Sequence, residues 1–152
     1  TPVFEVWTSD KIDDEDHAAL VACFAVGTGR TENQNPTFLA EQLVEMVARA
    51  LSPGVNAPYT AIDCLNRLNA ALMVAATYKD GLKDPSHPRV SFPHLTFGRL
   101  FSATFPLCRQ YIKPDELTRE HAVSLLRSLL KNARSGDRAQ IQAEIEMLAA
   151  DQ

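Results

Sequence analysis

The stretch Leu51-Ser52-Pro53-Gly54-Val55-Asn56-Ala57-Pro58 constrains this chain more than any other, because one helical pattern must stop before it and another must start after it. Pro53 has no N–H to give a continuing helix, and its ring collides with the turn behind it. Gly54 is expected to supply a permissive turn conformation. Pro58 suits a first helical position, where the missing N–H would have had no partner anyway. Two helices meeting at so short a corner are expected to fold back as antiparallel neighbours.

Upstream of the corner, Leu39, Leu43, Met46 and Ala50 form one apolar stripe, and Ala40, Val44, Val47 and Leu51 form a second beside it. This predicts a helix over 37–51 with a wide apolar face, buried on most sides. Its polar strip is Glu41, Glu45 and Arg49, with Glu45 spaced to pair with Arg49. Asn35 followed by Pro36 offers an N-cap and a proline start. Downstream, Ile62, Leu65, Leu68 or Asn69, Leu72 and Ala76 share one face of a helix over 58–78.

Four carboxylates, Asp13, Asp14, Glu15 and Asp16, precede the apolar run His17 to Val26 and suit the positive end of a helix dipole. A helix is predicted over 14–26, stopped by Gly27 in a left-handed conformation. Residues 79–88 are a polar turn region and 89–92 a short extended piece. Thr96 can cap a helix whose face is Phe97, Leu100, Phe101, Thr104, Phe105, Cys108 and Ile112, with Pro106 kinking or breaking it. A helix over 115–134 turns Ala122, Leu125, Leu126, Leu129 and Leu130 inward and closes at Gly136. The last helix uses Ile141, Ile145 and Leu148. With Thr1-Pro2-Val3-Phe4-Glu5-Val6-Trp7 reading as a strand, the fold class is mainly α: a helical bundle of five to six helices with a minor N-terminal β-strand, one soluble domain across 1–152.

Length and charge narrow the function. At 152 residues the chain can bury a core of its own. Fifteen Lys+Arg against nineteen Asp+Glu give a formal charge of −4, without the positive field that drives nucleic-acid affinity, so no nucleic-acid partner is expected. The longest apolar run, 18–26, falls short of the roughly 20 residues a membrane-spanning helix needs. Cys23, Cys64 and Cys108 lie far apart inside helical apolar patterns and read as reduced core thiols. The chain has no initiator Met and opens inside a strand-like run, which is expected of a fragment of a longer protein.

Few residues offer chemistry. Gly27-Thr28-Gly29-Arg30-Thr31 could cradle an anion, since small residues bare backbone N–H groups and arginine adds a bidentate fork. Its bland reading is a helix stop with Arg30 paired to Glu41 or Glu45. Arg49, Ser52 and Asn56 could complete a polar pocket with Arg30 and Thr31. Their bland reading is an Arg49–Glu45 pair and a turn held by Asn56. Asn66 and Asn69 read as satisfied structural amides. His17, His87, His94 and His121 have no chelating spacing, so no metal is expected. No nucleophile stands beside a visible base, and no cofactor fingerprint occurs. The phenylalanines of 97–105 read as core.

Two segments carry a resemblance. Residues 27–38 (GTGRTENQNPTF) and 42–68 (QLVEMVARALSPGVNAPYTAIDCLNRL) resemble the corresponding segments of bacterial predicted membrane proteins with a domain of unknown function, DUF2254. The resemblance is specific over 27–68 and looser beyond. Asn35 and Ala57 stand where that family usually has Asp. It implies a soluble C-terminal region following transmembrane helices, with residues 1–10 the end of a β-rich connector, at the bacterial inner membrane and on its cytoplasmic face. The expected role is an interaction or regulatory module that forms homo-oligomers and reaches the membrane through its N-terminal region. The alternative is a sensor of a small anion at a pocket near Arg30 and Arg49. An enzyme ranks below both.

Overall fold

The computed structural model describes residues 5–25, 27–31, 35, 37–77 and 95–150, which form two compact units, Thr1–Arg30 and Thr31–Gln152. The described residues are mainly helical, as the patterning predicts. The six expected helical stretches are present, the fourth as two pieces, giving seven helices among the described residues. No strand occurs among the described residues. Residues 5–8 carry no regular structure, while 1–4, 79–88 and 89–92 lie outside the described set.

In the first unit, α1 spans Asp14–Ala22. Asp13 caps it, its Oδ1 accepting the Asp16 N–H at 2.8 Å, and Asp14, Glu15 and Asp16 occupy the first turn where the helix dipole favours them. The helix is shorter than predicted. The N–H groups of Cys23 and Phe24 reach back only three residues, to the carbonyls of Leu20 and Val21, so the last turn tightens and ends ahead of Gly27. Gly27 does not take a left-handed φ. No residue of α1 is buried, because Ala18 to Ala22 run consecutively around the helix rather than along one stripe. Cys23 is exposed, not a core thiol, and its Sγ donates to the Ala19 carbonyl at 3.3 Å.

The second unit holds α2 (Phe38–Ala50), α3 (Pro58–Thr77), α4 (Phe97–Ser102), α5 (Phe105–Ile112), α6 (Glu116–Asn132) and α7 (Arg138–Ala149). α2 buries Ala40, Val44, Val47 and Ala50. Leu39 and Met46, from the first predicted stripe, are exposed. The expectation of a helix buried on most sides is therefore corrected: α2 packs against α3 and α5 through Ala40, Val44, Val47 and Ala50, with Leu43 and Leu51 half-buried at the edges. The break between α4 and α5 falls at Ala103 and Thr104, which leaves Pro106 in the first turn of α5 where it needs no N–H partner. Thr96 caps as predicted, accepting the Arg99 N–H at 3.2 Å, and Asp115, expected as the first residue of its helix, is instead its cap, accepting the Thr118 N–H at 2.8 Å.

The core is one cluster, with Val47, Leu65, Leu68, Leu72, Phe105, Ile112, Leu126, Leu129, Ile141 and Leu148 fully buried. Each such aliphatic or aromatic side chain contributes about 1.5–3 kcal/mol by leaving water. α3 is the central helix, packed against α2 on one side and α6 on the other. Its seam with α6 runs parallel: His121, in the first half of α6, meets Asn66 midway along α3, and Asn132 meets Met73 toward the C-terminal ends of both helices. α7 covers α6.

Candidate functional site

The elbow joining α2 to α3 is built from its own backbone. The Ser52 carbonyl accepts the N–H groups of Val55 and Asn56, each at 3.0 Å, and the Ala57 N–H returns to the Ala50 carbonyl at 2.7 Å. Asn56 takes the left-handed conformation, φ 44°, that asparagine tolerates better than other side chains. Gly54 does not, so the permissive residue of the turn is Asn56. Arg49 and Glu45 pair at 2.5 Å, and Ser52 Oγ donates to the Arg49 carbonyl at 2.7 Å. Arg49, Ser52 and Asn56 therefore belong to one elbow. The Asn56 amide makes no hydrogen bond among the described residues. Arg30 closes the first unit and Thr31 opens the second, both exposed.

Ahead of α2, Thr37 and not the predicted Asn35 is the N-cap, and Asn35 holds Thr37 instead of the first turn. Its Oδ1 accepts the Thr37 N–H at 3.3 Å and the Thr37 hydroxyl at 2.8 Å. Thr37 is buried, and its hydroxyl also lies 3.0 Å from Glu41 Oε1. On α3, Asn66 Oδ1 lies 2.8 Å from His121 Nε2. The amide oxygen can only accept, so this ring nitrogen carries the hydrogen. Asn69 Oδ1 and Thr118 Oγ1 are buried without a hydrogen-bond partner, so of the two α3 amides only Asn66 is satisfied as expected.

The sequence pattern did not disclose two further features. At the joint of α5 and α7, Arg109 grips Glu144 with both arms of its guanidinium: Nε donates to Oε1 at 2.8 Å, and a terminal nitrogen donates to Oε2. Glu144 is buried although charged, as an ion can be only when its partner replaces the lost water. The bond to Glu144 raises the Arg109 pKa, so the guanidinium stays charged. Beside this joint, burial first, then Cys64 and Glu144, push the Cys108 thiol up to about 12. Burial likewise raises Cys64. Neither thiol is poised as a nucleophile at neutral pH. The second feature is a groove of about 330 Å³ between α6 and the end of α7, lined by Arg119, Glu120, Val123, Arg127, Leu148 and Ala149. The spacing of 119, 123 and 127 puts those residues on one helix face, a signal visible in the sequence.

Among the described residues no cluster of His, Cys, Asp or Glu could hold a metal ion, and no helix is long and apolar enough to cross a membrane. The second unit is a helical bundle with an elbow and a cationic groove as its polar features. The profile of the family described as predicted membrane protein, DUF2254, matches residues 1–128, and the chain belongs to that family. The match ends inside α6, so α7 and Glu144 lie beyond it. Uncharacterised proteins of Mycobacterium bovis and Mycobacterium tuberculosis are 27% identical over 128 residues, covering 81% of this chain and 25% of their own length. The chain thus spans about a quarter of the curated relatives it matches. No solved structure matches it.

Proposed function

We propose that this chain is an interaction and regulatory module of a bacterial inner-membrane protein, placed on the cytoplasmic side, and that it self-associates through α1. The observation that carries the reading is the exposure of α1. Ala18 to Ala22 are apolar, yet no residue of the helix is buried, and Val21 and Phe24 remain 49% and 47% exposed. An apolar helix left in water gains by covering itself with protein. The family's description supports the membrane context, and the unpaired buried thiols Cys64 and Cys108 fit a reducing compartment. Light scattering on a size-exclusion column should give a mass above one chain, and Val21→Asp with Phe24→Asp should return it to one. A wild-type chain that stays monomeric as concentration rises would sink the reading.

A second reading, a small-anion sensor, draws on the exposed Arg49 guanidinium and the unbonded Asn56 amide, with Ser52, Thr31 and Arg30 as the remaining candidate residues. Inorganic phosphate should then raise the melting temperature of the wild type, but not of Arg49→Ala or Arg30→Ala. Equal shifts in all three would end it.

A further inference from the structure

We propose that the acidic first turn of α1 docks into the α6–α7 groove of a second copy of this chain. The inference rests on the self-association reading and names the surface that receives α1. Asp14, Glu15 and Asp16 form no ion pair among the described residues. In the groove, Arg127 is exposed and likewise has no carboxylate partner among them. Arg119 uses one nitrogen on the Lys113 carbonyl at 3.0 Å, which fixes its stem and leaves its remaining donors for another acceptor. The two arginines stand eight residues apart on α6, about 12 Å along the helix, so their long side chains must lean toward each other to share the carboxylates of one turn, about 5.4 Å tall.

Shape also fits this occupant. The groove opens at the C-terminal end of α7, beside Leu148 and Ala149, and the arginines of α6 are what the carboxylates meet there. A groove of about 330 Å³ holds the side chains of one turn, not a whole helix. The apolar remainder of α1 then has exposed Leu117 to cover, one turn before Glu120 on the same face of α6. Glu120 opposes a longer acidic run and so limits the match to the first turn. The surfaces that meet are different on the two copies, and reciprocal exchange of α1 closes a dimer with both grooves filled.

Sedimentation velocity on the wild type, Arg127→Glu, Glu15→Arg and the combined exchange tests this, with circular dichroism confirming that each variant is folded. Either single change should weaken association about tenfold or more, and the combined exchange should recover most of it. Raising salt should weaken the wild type as it screens the exposed charges. If the wild type associates and neither charge change nor salt matters, the groove is overturned while self-association through α1 stands. If the wild type is a monomer, the self-association reading itself fails. If it is a monomer whose melting temperature falls in both single variants and recovers in the exchange, α1 occupies the groove of its own chain and the second copy is overturned.

Discussion

Two Arg–Glu pairs in the second unit use the same chemistry in opposite settings. At the elbow, Arg49 and Glu45 sit one turn apart on α2 with side chains 76% and 51% exposed. At the α5–α7 joint, Arg109 and Glu144 come from distant parts of the chain, and their side chains are 32% and 2% exposed. Water already solvates the first pair in the unfolded chain and goes on solvating it after folding, so pairing changes little. The second pair has given up most of its hydration on the carboxylate side, and the geometry of the guanidinium fork is what replaces it. Location rather than charge decides how much each pair matters, and it makes the joint a point where one lost partner is felt throughout the packing of α7.

The sharpest way to break this contrast is to remove the arginine of the joint. Arg109→Leu leaves the buried Glu144 carboxylate alone and should destabilise the chain by about 3–5 kcal/mol in urea unfolding. The double variant Arg109→Leu with Glu144→Leu should recover most of that loss, because an apolar pair needs no hydration to replace. A double variant as unstable as the single one would mean that shape, not charge, holds the joint.

The same region should also declare itself at alkaline pH. Cys108 keeps its proton in the folded chain up to about 12, against an ordinary thiol value of 9.0. In that interval the native state holds a proton that the unfolded state has released, so stability is complete below pH 9 and declines as pH rises toward 12. Cys108→Ala should flatten that decline relative to its own stability at pH 7, as read from unfolding midpoints across the range. The elbow should give the smallest effect: Glu45→Ala should cost about 0.3–0.5 kcal/mol and lose even that in high salt. A loss there as large as at the joint would dissolve the contrast.

The two pairs also show what a sequence can disclose. Glu45 and Arg49 are four residues apart on a predicted helix, so their meeting follows from local geometry. Thr96 was legible as a cap for the same reason, and the break near Pro106 follows from ring sterics. Arg109 and Glu144 are 35 residues apart, and no local period brings them together. Exposure of Leu39 and Met46 was hidden because two adjacent stripes on α2 look equally fit for burial, and only the number of neighbours decides which is used. Gly27 was read as left-handed and Gly54 as the permissive residue of the turn because glycine allows both, but permission is not requirement. Asn56 takes that role through a turn whose hydrogen bonds are set by Ser52. Of the candidate site, the elbow group of Arg49, Ser52 and Asn56 was legible from proximity in the chain, whereas the cationic groove needed α7 in place to exist.

The parallel seam between α3 and α6 carries a consequence for synthesis. Its paired positions, Asn66 and His121, are separated by 55 residues, so α3 leaves the ribosome well before the helix that covers it. At typical elongation rates that interval is about 3–10 s. During it Leu65, Leu68 and Leu72 have α2 and then α4 beside them but not α6. The nascent chain therefore passes through a stage in which an apolar strip of α3 still waits for its last cover.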